Sequence, residues 1–144
     1  MKYLKKFNEG YSEENWNIDI SDMIGKSVQH IEVGDKTEIT FYCFDNDGSE
    51  VRYTMYHDQD CCENVYLEDI VGDLEDLYVG KIIKAEEVTN RNDPPPAEGS
   101  DESYTWTYYN LATIEGYIQF RWFGTSNGYY SESMNILKTK PWYE

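Results

Sequence analysis

His57-Asp58-Gln59-Asp60-Cys61-Cys62-Glu63 gathers imidazole, thiol and carboxylate groups more densely than any other stretch of the chain. These are the ligand types of zinc, and a His followed four residues later by a Cys presents both on one side of a helical turn. A structural zinc held by His57, Cys61 and Cys62 is the first chemistry this spacing predicts. A closed tetrahedral site takes four ligands, and the fourth is open among Asp58, Asp60, Glu63 and a distant residue. Neighbouring cysteines point to opposite sides of an extended segment, so only a turn brings both sulfurs to one ion. In the expected site, His57 leaves the end of a strand facing a turn at 60–63, and one ion ties strand to turn. Two other readings stay open: reduced cysteines buried as small apolar side chains, and a vicinal disulfide or redox pair.

The elements that must position this run are predicted to be strands. Thr37 to Phe44 and Glu50 to Tyr56 flank Asp45-Asn46-Asp47-Gly48-Ser49, and Asp-Gly is a strong hairpin signal. Centring the turn on Asp47-Gly48 pairs Asn46 with Ser49 and Cys43 with Arg52. Cys43 then lies about 16 Å from the level of His57 and on the opposite face, a core residue and a poor fourth ligand. The Asp-rich turn lacks the later positions of a calcium loop, including the closing Glu. Upstream, Ile24 to Val33 reads as a strand turning at Gly34-Asp35, with His30 a partly buried strand histidine.

Downstream, Asp73 is placed to cap a short helix that runs to about Val79, with Gly80 just past its end. Lys81 to Val88 returns to strand, and the Pro-rich stretch 91–102 is expected to be a mobile loop. Tyr104 to Thr113, Tyr117 to Phe123 and Tyr129 to Leu137 predict a three-stranded antiparallel meander, with turns at Glu115-Gly116 and Ser126-Asn127-Gly128. Trp106, Tyr108, Phe120 and Trp122 are too many large aromatics for one small core face, so some should line a surface or groove. The expectation is a single α+β domain over 23–144, mainly antiparallel sheet with one short helix. Residues 1–22 precede it as an extended segment.

Composition narrows the functions. The 144 residues carry 28 acidic against 12 basic side chains, a formal net charge of -16, which opposes direct nucleic-acid binding and favours a basic partner. Tyr alone occurs 14 times, which suits strands and contact surfaces. No apolar run is long enough to span a bilayer, and Met1 to Gly10 lacks the apolar centre of a secretion signal. A soluble intracellular protein with reduced or metal-bound cysteines is therefore expected.

Phosphate-cradling Gly-Lys-Ser or Gly-Lys-Thr loops, a Gly-x-Ser-x-Gly elbow and a His-Glu-x-x-His pair are all absent. Between Arg52 and Lys81 there is no Lys or Arg, while Asp58, Asp60, Glu63, Glu68, Asp69, Asp73, Glu75 and Asp76 are acidic. Such surroundings disfavour a thiolate nucleophile, and no catalytic residue is assigned.

Met55 to Glu63, Glu68-Asp69-Ile70-Val71-Gly72-Asp73-Leu74, Tyr104-Thr105-Trp106-Thr107-Tyr108-Tyr109 and Ser126-Asn127-Gly128-Tyr129-Tyr130-Ser131-Glu132 resemble a small domain of phages and prophages. The resemblance covers roughly residues 23 to 137. It implies an anti-CRISPR inhibitor with a structural metal, acting in the host cytoplasm. Such a protein would dock its acidic surface on a type II RNA-guided nuclease and block nucleic-acid loading. Two other readings are a sponge that sequesters a small signalling molecule in a tyrosine-lined pocket near Ser126 to Glu132, and a thiol or metal enzyme at His57 and the cysteines.

Overall fold

The computed structural model describes residues 11–15, 17–96 and 103–141. Among these residues nine strands are joined by turns and longer connections: β1 (Tyr11–Asn15), β2 (Ser27–Gly34), β3 (Glu38–Phe44), β4 (Glu50–Tyr56), β5 (Asn64–Val71), β6 (Lys84–Asn90), β7 (Ser103–Ala112), β8 (Tyr117–Ser126) and β9 (Asn135–Pro141). They form a five-stranded sheet, β1-β9-β4-β3-β2, and a four-stranded sheet, β5-β8-β7-β6. All pairings are antiparallel.

Period-two alternation explains why the sheets face each other. Ile39, Phe41 and Cys43 of β3 and Val51, Tyr53 and Met55 of β4 are buried on one face, as are Ile118, Phe120 and Trp122 of β8. Each strand therefore has one apolar side to hide, and two such sheets hide them together. Phe41 meets Phe120 across the interface, ring centroids 5.5 Å apart and edge to face. Cys43 sits in this core as expected, 3% exposed.

The α+β expectation fails at its helix. Asp73 does cap, accepting from the Glu75 backbone N–H at 3.0 Å, but the element it caps is a 3-10 turn, Leu74–Tyr78. Gly72 at φ 111 and Gly80 at φ 77 bracket it, leaving too few residues for α-helical hydrogen bonding to propagate. Its one buried residue, Leu77, is a plug in the core. The other short element, Ile20–Met23, is also 3-10, so the described residues contain no α-helix and the fold is mainly β. Ile20 and Met23 are core residues.

The C-terminal meander is corrected too. β7 and β8 make the expected hairpin, but the far side of β8 pairs with β5, and β9 crosses to the other sheet to lie between β4 and β1. The Asn127-Gly128 turn forms, with Gly128 at φ 94. The chain then runs over β8 instead of alongside it: a Cβ on Gly124 would stand 2.7 Å from the Glu132 carbonyl oxygen. The first hairpin exists with its register one residue from that expected, Cys43 opposite Val51 and Tyr42 opposite Arg52. Gly48 N–H donates to Asp45 O at 2.9 Å, with Gly48 at φ 83, and Asp45 N–H donates to Ser49 O at 2.7 Å. This is the longer turn-plus-left-handed-glycine loop in place of a two-residue one.

Trp106 and Tyr108 alternate onto the outer face of the four-stranded sheet, where they cluster with Phe123, Tyr66 and Tyr104, while Phe120 and Trp122 point inward. The Arg121 guanidinium lies 4.6 Å from the Tyr108 ring centre and 5.1 Å from that of Trp106. Of the Pro-rich stretch, Arg91 to Pro96 is described and part of it is fastened to this face. Tyr108 donates to Asp93 Oδ2 at 2.5 Å and Trp106 Nε1 to Pro94 O at 3.2 Å. Residues 97–102 and 1–10 lie outside the described residues.

Candidate functional site

Two connections pass from one sheet to the other. Residues 57–63 lead from β4 to β5, and residues 127–134 lead from β8 to β9. Tyr56 pairs with Asn135 and Asn64 with Thr125, so both crossings lie side by side at one end of the sandwich. The predicted site residues all fall in the first.

His57 comes directly after the last residue of β4, and its side chain is only 5% exposed. Its Nδ1 lies 2.6 Å from the Ser133 carbonyl oxygen and its Nε2 lies 2.8 Å from Glu63 Oε2. Both partners are acceptors. A ring nitrogen that carries a proton donates to the acceptor it faces.

Glu63 is 4% exposed and serves as the hub of the loop. Its carboxylate accepts from the backbone N–H groups of Asp60 at 3.0 Å and Cys61 at 2.9 Å, and from Gln59 Nε2 at 3.2 Å. Burial opposes the charge, but the Asp60 amide, the His57 ring and the Cys61 amide outweigh it and hold the carboxyl down at about 2. Asp58 N–H reaches Asn135 Oδ1 at 3.0 Å, a second tie between the crossings.

The Glu63 carboxylate thus ties the end of β4 at His57 to the turn at 60–63. Cys61 and Cys62 are joined by a disulfide and both are exposed, so they are not buried thiols. Disulfide sulfurs are not thiolate ligands, and both His57 nitrogens face oxygen acceptors, so this arrangement does not offer zinc its tetrahedral set. Among the described residues no three or more His, Cys, Asp and Glu side chains are gathered as a set that could hold a metal ion. His30 is exposed on β2 beside Tyr42, remote in the fold from the run at 57–63.

The second crossing carries a residue that sequence reasoning assigned no role. Glu132, 6% exposed, accepts from Thr105 Oγ1 at 2.8 Å and from the Ser126 hydroxyl. Arg91 Nε in turn donates to Thr105 Oγ1 at 3.2 Å. Beside it opens a cleft of about 610 Å³ that includes Arg91, Thr105, Tyr130 and Ser131 in its walls. A cleft of about 490 Å³ lies on the other side of Ser131 and Ser133, against His57, Asp58 and Asp60. The sequence reading placed a pocket near Ser126 to Glu132 but gave the Glu132 carboxylate no partner, because its partners are brought to it by β7 and β8.

Sandwich and site together define a two-sheet antiparallel β protein whose sheet crossings are locked to each other at one end. The chain matches, over residues 21–136, the family described as "Domain of unknown function (DUF7448)", and it belongs to that family. No curated protein and no solved structure matches it. No helix among the described residues is long and apolar enough to cross a membrane.

Proposed function

We propose that this protein is a non-catalytic binding module that docks an acidic edge onto a basic surface of a partner protein. One observation carries this reading. β5 is an edge strand of its sheet, and Asp58, Asp60, Glu68, Asp69, Asp73 and Glu75, in and around it, are all exposed in a segment without Lys or Arg. A field of one sign speeds encounter with the opposite sign and repels nucleic acid. The phage resemblance supplies the finer reading: an anti-CRISPR inhibitor in the host cytoplasm that occupies the positive nucleic-acid channel of a type II RNA-guided nuclease. Binding to the purified nuclease, free and guide-loaded, tests it. Tight binding to the free enzyme, weakened by salt and by Glu68→Lys with Asp73→Lys, is the expected result. Affinity that ignores both salt and charge reversal overturns the docking mode.

A second reading has its own support in the cleft of about 610 Å³ beside Tyr130: sequestration of a small signalling molecule, with Arg91 offering a cation to an anionic ligand. Mass analysis of whatever is released on denaturing protein purified from infected cells separates the two. The structural zinc on His57, Cys61 and Cys62 is proposed only for the reduced chain, where both sulfurs regain the thiolate form that zinc requires. Metal content measured with and without reductant tests that.

A further inference from the structure

We propose that Cys61 and Cys62 are a reversible thiol–disulfide couple, a modification site opened by an uncharged or cationic dithiol and closed again by an uncharged or cationic disulfide. The proposal stands apart from the docking reading and does not need it. A disulfide stabilises a fold largely by shortening the loops of the unfolded chain, an effect that shrinks with the number of residues enclosed. Joining adjacent residues encloses none between them, so stapling the fold does not account for this bond. Accessibility points the same way. Both cysteines are exposed, whereas Cys43 is 3% exposed with its thiol pushed up by burial to about 12, the setting of an inert core cysteine.

Opening the bond would also be felt elsewhere. Cys61 N–H donates to Glu63 Oε1, Glu63 Oε2 meets His57 Nε2, and His57 Nδ1 meets the Ser133 carbonyl oxygen in the other crossing. A change in the backbone at 61–62 therefore has a short hydrogen-bonded route to the segment that separates the two clefts. In the reaction, one thiolate of the dithiol attacks a cysteine sulfur, the Cys61–Cys62 bond breaks, and the released sulfur takes up a proton. The second thiolate of the reagent then attacks the reagent sulfur of the mixed disulfide, the bond from that sulfur to the cysteine breaks, and the cysteine sulfur leaves and takes up a proton. The dithiol loses two electrons and two protons, and Cys61 and Cys62 gain them. Asp58 and Asp60 are exposed within the same loop, and their charge selects among reagents: anionic thiolates are held off and thiols bearing an ammonium group are drawn in.

The test uses the whole native protein, with a chelator present so that no metal masks a thiol. Alkylation followed by mass spectrometry should find Cys61 and Cys62 unreactive as isolated in air, both reactive after dithiothreitol, and Cys43 reactive only after denaturation. Free Cys61 and Cys62 thiols that persist after the reductant is removed and an excess of cystamine, the disulfide of a cationic thiol, is added would overturn the couple. So would a bond that dithiothreitol opens only in denaturant. Opening rates with cysteamine, 2-mercaptoethanol and thioglycolate are then compared, each normalised to its thiolate concentration and to its rate on a neutral small disulfide. Cysteamine should exceed thioglycolate on the order of tenfold at low salt, the gap closing at high salt or in Asp58→Asn/Asp60→Asn. Equal normalised rates would sink the charge selection. The His57 ring signals should shift on reduction, and the Cys61→Ser/Cys62→Ser protein should resemble the reduced form; identical signals in both redox states would remove the proposed route to Ser133.

Discussion

Each sheet crossing is built around one buried glutamate, and the two are satisfied in opposite ways. Glu63 takes its hydrogen bonds from its own loop, from His57, Gln59, Asp60 and Cys61. Glu132 takes its bonds from hydroxyls of the four-stranded sheet, Thr105 on β7 and Ser126 on β8. The first loop folds on itself around a charge; the second is fastened to a surface already formed. Backbone amides cannot be donated to anything else once the loop is closed, whereas hydroxyls rotate and can accept as well as donate. Glu63 should therefore be the less replaceable of the two.

Glu63→Gln breaks or sharpens this contrast most. The amide offers one acceptor oxygen where the carboxylate offered two, and it turns an NH2 group toward the Asp60 or Cys61 amide or the His57 ring. The largest fall in melting temperature of the three substitutions considered is expected, measured by thermal unfolding. A fall no larger than that of Glu132→Gln would refute the contrast. Next comes Gly124→Ala, whose new methyl meets the Glu132 backbone. Overpacking there should cost about 1–3 kcal/mol in denaturant unfolding, and no loss would mean that the second crossing is not seated on β8 as described. Glu132→Gln keeps an oxygen for one hydroxyl, and the other hydroxyl can turn to accept from the new amide, so a loss under about 1 kcal/mol is expected.

Acid tests the Glu63 anion by a different measurement. The Glu63 carboxyl is held at about 2 in the folded protein, against an ordinary value of 4.5. Its contribution is thus fully present above about pH 4.5 and lost as pH falls toward 2. Asp19, Asp22 and Asp47 are lowered as well, so the informative quantity is the difference between wild type and Glu63→Gln. That difference should shrink as pH is lowered from about 5 to 2. A gap independent of pH would mean that Glu63 is not held as an anion.

The contrast also explains what the sequence revealed and what it hid. Strands 37–44 and 50–56, their Asp-Gly loop, the Asp73 cap and the core place of Cys43 come from alternation and turn chemistry, which act over a few residues. The neighbourhood of His57 and Glu63 was legible for the same reason, since every side-chain partner of the Glu63 carboxylate lies within six residues. A carboxylate collecting N–H groups and an ion collecting ligands use the same residue types, so composition and spacing alone do not separate the two. Glu132 and the path of β9 depend on which distant strand claims the free side of β8. Nothing in Tyr129 to Leu137 encodes that β5 arrives there first.

The position of β9 has a consequence for how the chain must assemble. β1 has a single neighbour, and that neighbour is β9, which also pairs with β4; Tyr11 meets Pro141 across nearly the whole described sequence. During synthesis β2, β3 and β4 can form their hairpins as they emerge, and so can β7 and β8. The five-stranded sheet stays open at its middle until residues 135–141 have left the ribosome. Until then one side of β4 is an unpaired edge above an uncovered core, the state most exposed to wrong pairing with other chains. Closure of so long a loop is slow by topology alone, so pairing of β9 with β4 and β1 is expected to come late in the assembly of this sheet.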